Sequence, residues 1–514
     1  MSSSVRALAL LIAFAFISGA NASEYKSGEV IVKYKDGAIR ARSVMNMMYN
    51  DLGVKSVRRS GFPKGFEHLI LKDTVKVEDA IAELQRNGLV EYAQPNYILS
   101  IYPTSTLEDP PIPGFPGGGG GIPCIPGMDI PGCDPNAEIP GLPGGGGGGG
   151  GGGGVPCLIP GIPFPPGCED SGTPGNPPGD PGTPPSDPGT PTNPPANKPA
   201  LQPAPAEVNP PVVDPDLDKA YGLEKIGARK AWAEWQGSKE FIVADIDTGI
   251  DYNHEDLSFN VWRNPTPSEK NDVAGFDFVH NDGLPYDDNQ HGTHTSGTIG
   301  GVGGNGKGVS GVAPRVSIMG LKFLSGEGSG TTADAIRAID YAIEHGAKVI
   351  SASWGGPGDD GNKALYDSIE RAKAKDVLFV AAAGNESKNN DIPSQASYPA
   401  AFDNDNLIAV AATDKNDSMA FFSNYGEKTV HVAAPGANVY SLIPGNKYAA
   451  FSGTSMACPH VAGAAALLWS KNPTWNYKKV KQVLMDTSDK LSSLKGKTIS
   501  GGRINVLNAL HSTD

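Results

Sequence analysis

Two stretches of this chain carry periodic hydrophobic patterning, and a long stretch between them carries none. In the first, "GEVIVKYK" (28–35), "FEHLILK" (66–72) and "LVEYA" (89–93) read as strands. The runs "AIRARSVMNMMYNDLG" (38–53) and "KVEDAIAELQRNG" (76–88) read as helices ended by Gly53 and Gly88. Two strand–helix pairs with an extra strand between them predict a small α+β sandwich, βαββαβ, over residues 23–100. In the second, "FIVADI" (241–246), "VSIMGL" (316–321), "AKVISAS" (347–353), "DVLFVAAA" (376–383) and "NLIAVAA" (406–412) are short β-rich runs. They alternate with helical stretches such as "TADAIRAIDYAIEHG" (332–346) and "KALYDSIERAKAKD" (363–376). That alternation predicts an α/β domain over 216–514, a mostly parallel sheet with helices on both faces. In such sheets functional groups gather beyond the carboxyl ends of the strands.

Composition explains the unpatterned stretch. Of 514 residues, 67 are Gly and 45 Pro, and the excess falls between residues 101 and 215, including an unbroken glycine run at 144–154. Such a segment has almost no apolar area to offset chain entropy, so it is expected to be a disordered linker. It holds an echo, "GIPCIPGMDIPGC" and "GVPCLIPGIPFPPGC", which favours local disulfides Cys124–Cys133 and Cys157–Cys168 over a metal site, since no histidine is near. A surface-adhesive or partner-binding stalk is the alternative reading of this stretch. At the N-terminus, Arg6, the apolar run Ala7–Ile17 and the Ala20-x-Ala22 pattern predict a signal peptide over 1–22 and hence a secreted protein. No later run reaches the roughly 18 apolar residues that span a membrane. A net charge of −14 argues against nucleic acid as a partner.

Four polar residues stand where the sheet predicts function. Asp247 follows "FIVADI", Asn385 follows "DVLFVAAA", His291 opens "HGTHTSGT", and Ser455 precedes an apolar helix that runs to Trp469. Singly each has a bland reading, such as a helix cap or a surface residue. Together they supply what acyl transfer requires: a hydroxyl nucleophile, a base for its proton, a carboxylate to fix the base, and a donor for the oxyanion. His294 and His460 are read as buried structural residues, and Cys458 as a buried, inert thiol. Pro459 is read as lying in the helix's first turn. Asp245, two residues before Asp247, shares its face by strand alternation; either it finds donors of its own or it perturbs its neighbour.

The order Asp, His, Asn, Ser in "IDTGID", "HGTHTSGT", "AAAGN" and "GTSMACPHVAG" resembles the subtilisin family of serine peptidases. The resemblance implies a serine endopeptidase acting on proteins or peptides through Asp247, His291 and Ser455, with the Asn385 amide and the Ser455 N–H as oxyanion donors. It implies substrate edges at Gly328, Ser329 and Gly330 and at Ser353, Trp354 and Gly355. A P1 pocket lined by Ala382, Ala383 and Gly384, with Glu386 at its rim, follows from the same likeness. Structural calcium at Asp256, with Asn305 in "GGVGGNGKG", is implied as well, as is a monomeric enzyme. The segment ending "VEYAQPNYIL" (90–99) resembles the family's inhibitory propeptides, so Tyr97, Ile98 and Leu99 are expected in the specificity subsites, with self-cleavage near Leu99. The runner-up function is an inactive subtilase-like binding module or a surface stalk.

Overall fold

A computed structural model describes residues 24–37, 42–102, 198–209, 211–357 and 362–512. The expected signal peptide, most of the expected linker and its four cysteines lie outside these. The N-terminal unit runs β1 (Tyr25–Tyr34), α1 (Arg42–Asp51), β2 (Val54–Arg58), β3 (Phe66–Leu71), α2 (Val77–Arg86) and β4 (Val90–Ile101). It is the expected βαββαβ arrangement, with antiparallel order β4-β1-β3-β2. Alternation decides its core: Val30, Val32, Leu69 and Leu71 point from the sheet onto Val77, Ala80 and Leu84 of α2. β4 runs well past the five residues its apolar pattern marks, and its far end pairs outside this unit.

The larger unit contains α3 (Tyr221–Lys225), α4 (Ala228–Ala231), β5 (Gly237–Asp247), β6 (Gly275–Asp277), α5 (His291–Gly300), β7 (Arg315–Lys322), β8 (Ser329–Thr331), α6 (Thr332–Glu344), β9 (Val349–Ala352) and β10 (Trp354–Pro357). It continues with α7 (Lys363–Ala374), β11 (Leu378–Ala382), β12 (Ser397–Tyr398), β13 (Leu407–Thr413), β14 (Val432–Pro435), β15 (Val439–Ile443), β16 (Lys447–Phe451), α8 (Thr454–Lys471), α9 (Tyr477–Asp486), β17 (Asp489–Lys490) and β18 (Gly502–Arg503). Its main sheet has the order β17-β18-β14-β13-β11-β9-β5-β7-β6, parallel except for the β17–β18 edge. Adjacent residues of each central strand enter opposite cores. Val243 and Ile318 pack towards α8, while Ala244, Ile246, Met319 and Leu321 pack towards α6 and α7.

α8 is buried along its whole length to Trp469, as a helix apolar all round must be. It lies against α5, and the approach is close enough that a Cβ on Gly463 would stand 2.8 Å from the Ile299 carbonyl. A side chain there would force the helices apart, and with them His291 from Ser455. Each buried Ile or Leu in these layers contributes about 1.5–3 kcal/mol relative to exposure, which makes the sheet with its two helical layers a rigid frame for the residues at its carboxyl edge.

Candidate active site

Asp247 ends β5 and His291 begins α5. His291 Nδ1 lies 2.8 Å from Asp247 Oδ1, and the Thr248 N–H donates to the same oxygen at 2.7 Å. A carboxylate there accepts, so Nδ1 carries the proton and Nε2 is the basic nitrogen. Among the described residues nothing hydrogen-bonds to Nε2. Burial opposes the charged imidazolium, but Asp247, with Asp245 and Asp287 behind it, outweighs burial and raises the His291 pKa above its ordinary value. The start of α5 is held by Asp287, whose carboxylate accepts from the N–H groups of Asn289, Gln290 and Thr293 and from the hydroxyls of Thr248 and Thr293. Sequence reasoning missed this residue, although an Asp just ahead of an N-terminal turn is a usable signal.

Asp245 faces the same helix. Its Oδ2 accepts from Thr295 Oγ1 at 2.8 Å and Ser296 Oγ at 2.6 Å, and its Oδ1 has no partner. Burial first, then the Asp247 charge, hold this carboxyl well above the usual carboxylate range. Asp245 thus has both donors of its own and a charged neighbour.

Ser455 is the second residue of α8 and is fully buried. Its hydroxyl donates to the Ser353 carbonyl at 3.0 Å, and its own carbonyl accepts from Ser353 Oγ at 2.9 Å. The second bond corrects the reading of Pro459, which lies at the sixth helical position, in the second turn. A residue there would normally donate to the Ser455 carbonyl; proline cannot, and Ser353 replaces the missing donor. Asn385 is oriented from its oxygen end, since Oδ1 accepts from Thr454 N at 2.8 Å and Thr454 Oγ1 at 2.9 Å, and Nδ2 lies within reach of Gly453 beside Ser455.

A strand fills the cleft beside these groups. β4 pairs on one side with β8 (Ile98 opposite Thr331, Leu99 opposite Gly330, Ser100 opposite Ser329) and on the other with β10 (Trp354 opposite Ile101, Gly355 opposite Ser100). The Ile101 N–H donates to the Gly328 carbonyl at 2.9 Å. All six residues expected to edge the cleft lie on or beside this seam, although the Trp354 ring itself is buried against Phe323 and Phe379, its Nε1 donating to the Ile246 carbonyl. Tyr102 then turns into a buried pocket, where its hydroxyl meets Ser397 Oγ at 2.7 Å and stands against Gly355, with Glu386 and Cys458 near. The expected register is therefore corrected by three residues. Leu99 lies inside the paired strand, buried against the second core, and Tyr102 fills the pocket.

The N-terminal unit is also held at two helix starts. Gln94 Oε1 accepts from Ala364 N at 2.8 Å in α7, and Asn96 Oδ1 from Ala333 N at 2.9 Å in α6. Both satisfy N–H groups that a helix leaves unpaired. Lys33 and Tyr92 meet Asp367 of α7 at 2.8 and 2.9 Å.

The remaining candidates fall away from this cluster. His294 bonds to the Val439 and Ala449 carbonyls, stacks on Phe451, and burial drives its pKa down to about 3. His460 meets the Met456 carbonyl, with its pKa lowered by burial to about 4. Both are structural. Burial pushes the Cys458 thiol up to about 12, which keeps it in its neutral form. Asp256 is buried, accepting from Asn305 Nδ2 and Val309 N at 2.8 Å each, and Asp214 accepts from the N–H groups of Gly304, Asn305 and Gly306. Among the described residues, no group of three or more His, Cys, Asp or Glu side chains is gathered as if for a metal ion.

Residues 198–209 and 211–215, within the stretch read as linker, lie on the larger unit. Lys198 Nζ bonds to Asp277 at 2.7 Å and to both oxygens of Asp282, Gln202 N to Asn253, and Val212 N to the Gly304 carbonyl. Among the described residues no helix is long and apolar enough to cross a membrane.

Residues 238–502 match the model of the subtilase family, and residues 16–96 match that of the fervidolysin N-terminal prodomain. The chain is 42% identical to thermitase of Thermoactinomyces vulgaris over 294 residues, 57% of this chain and 96% of that protein. It is 41% identical to the thermophilic serine proteinase of Bacillus sp. (strain AK1) over 290 residues, 56% of this chain and 66% of that protein. With subtilisin DY of Bacillus licheniformis it shares 40% identity over 271 residues, 53% of this chain and 92% of that protein. The matched span carries β5 to β18 with the Asp247–His291 pair and Ser455, and from these together we conclude that the chain belongs to the subtilase family and is a subtilisin-like serine endopeptidase with an N-terminal prodomain.

Proposed function

We propose that Ser455 is the nucleophile, His291 its general base and Asp247 the carboxylate that fixes the imidazole. The Ser455 hydroxyl swings from the Ser353 carbonyl to His291 Nε2, gives up its proton there and attacks the substrate carbonyl. The oxyanion is met by the Ser455 N–H, at a helix N-terminus that favours negative charge, and by Asn385 Nδ2. His291 then returns the proton to the leaving amine, and water releases the acyl group by the same path. Substrate adds as a strand between β8 and β10, with Ala383 and Gly384 beside the P1 pocket. The observation that carries this reading is β4 itself: a peptide already pairs with both edges and sends one side chain into the pocket. In this state the enzyme is its own inhibited precursor, exported through the N-terminal segment and activated when the prodomain is cut free.

Calcium is a structural partner in this reading. It is placed at Asp256 with Asn305, whose carboxylate and amide oxygens are of the hard type Ca²⁺ prefers; in this structure Asn305 turns its Nδ2 to Asp256, and Asp214 accepts N–H groups of the same loop. Bound there, the ion would tie the 301–309 loop to the domain and take no part in the chemistry.

The test is the full chain with Ser455→Ala. It should lack peptidase activity and accumulate with the prodomain attached, while wild type separates from it. His291→Ala should lose as many powers of ten in kcat as Ser455→Ala, and the double variant little more, because such groups act as one unit. Additive losses, or maturation of Ser455→Ala with no other peptidase present, would overturn the assignment.

A further inference from the structure

We propose that Asp245 is a positioning residue of the catalytic apparatus, a second carboxylate that acts on His291 by adding its charge to that of Asp247 and by holding the helix that carries the imidazole. The proposal rests on the reading of His291 as the base. Two residues apart on β5, Asp245 and Asp247 face the same helix: one grips Thr295 and Ser296 in its second turn, the other His291 at its start. A residue needed only to fill that space would be apolar, as Val243, two residues earlier on the same face of the strand, is. A buried carboxylate with one oxygen unpartnered is a costly substitute.

Its surroundings determine what it responds to. From α5 it faces His291 and the two hydroxyls. On its own strand it faces Asp247. Across the sheet it stands in register with Ser351 of β9 and Gly320 of β7. From α8 the nearby titratable group is Cys458, a neutral thiol. The charged groups acting on it most strongly are Asp247 and His291; the buried Lys322 of β7, in register with Asp247, spends its ammonium on the Thr248 and Leu324 carbonyls and on Asp288. The charge of Asp245 is therefore balanced chiefly by the His291 imidazolium, the species that forms when Ser455 attacks. When Asp245 is ionised it favours that imidazolium; when it is protonated the favour is withdrawn. Residues two apart on a strand are separated by roughly 6.6 Å. His291 lies a hydrogen bond beyond Asp247, so Asp245 acts on it from on the order of 10 Å, and at an effective dielectric of about 20 a charge at that distance moves its pKa by about one unit.

The test is the pH dependence of kcat/KM in the activated enzyme. Asp245→Asn retains an oxygen that accepts from Thr295 and Ser296 but removes the charge. Its acid limb should move to lower pH by about 1 unit and its plateau should fall by up to about tenfold. Ser296→Ala, a milder change that withdraws a donor stabilising the ionised form, should shift the limb in the same direction by less. His291 should follow in the full-length Ser455→Ala protein labelled with [13C]histidine, its NMR midpoint dropping on adding Asp245→Asn. An anchor without an electrical role would leave limb and midpoint where they are in both variants, and that result overturns the proposal. Activity surviving in His291→Ala would instead overturn the reading of the base, and the NMR shift would still stand.

Discussion

The pocket that receives Tyr102 makes a quantitative prediction about substrate choice. Tyr102 is 4% exposed and Ser397 6%, and their hydroxyls stand 2.7 Å apart. A phenylalanine in the same place fits the pocket but leaves Ser397 without that partner. A neutral hydrogen bond of this kind is worth about 0.5–1.5 kcal/mol net, or a factor of about 2–10 in kcat/KM. Peptides built on the seated register, Leu-Ser-Ile-Tyr and Leu-Ser-Ile-Phe before the scissile bond, should therefore differ by that factor in favour of tyrosine. Ser397→Ala should remove the preference or reverse it, because the phenol would then enter an apolar floor with its hydroxyl unpaired. The assay is steady-state hydrolysis of the two peptides by both enzymes, read as the ratio of ratios so that losses common to both substrates cancel. A Tyr/Phe ratio unchanged by Ser397→Ala would refute the argument, and with it the use of Tyr102 as a guide to substrate.

Other outcomes follow from the same geometry. Asn385→Leu should lower kcat by about 10²–10³, the loss known for one oxyanion donor in a subtilisin, with KM little changed. The residue after Tyr102 is Pro103, so a first cut in the seated register must break a bond to a proline nitrogen; Pro103→Ala should speed separation of the prodomain in a time course on gels. Asn96→Ala leaves the Ala333 N–H of α6 without its acceptor and should weaken inhibition by a separately supplied prodomain several-fold in Ki. Chelator should lower the melting temperature of the wild-type enzyme, and Asp256→Asn should abolish that response; a melting temperature indifferent to calcium would remove the metal.

Much of this architecture is legible in the sequence because long buried strands and amphipathic helices carry their own period. β5, β7, β9, β11 and β13 stand where their apolar runs lie, as do α6 and α7. What was not legible depends on partners distant in sequence. β8 and β10 are three and four residues long and glycine-rich, with no period to read. The register of β4 is decided by the depth of a pocket built from Gly355 and Ser397, so no local pattern marks Tyr102 as its end. Asp214 and Ser353 act through backbone groups that only the folded chain brings near, whereas Asp287 holds N–H groups two to six residues on and carries a local signal. The departure at Asp245 was visible at once, since a carboxylate in an apolar run breaks the pattern; the hydroxyls it grips were not.

The stretch from Pro103 to Asn197 leaves from one occupied place, the pocket that holds Tyr102, and returns at another, the ion pairs of Lys198 with Asp277 and Asp282. Cutting it leaves the described contacts at both ends in place. What changes is the arithmetic of rebinding. While the stretch is whole, a prodomain that slips out of the cleft meets the same cleft again at an effective concentration set by the tether, of the order of millimolar for a short one and lower for a long one. Once it is cut, the relevant quantity is the bulk concentration of free prodomain. A nicked preparation should remain silent when concentrated and become active on dilution, so the enzyme would respond to how crowded it is with its own kind before it responds to anything it cleaves.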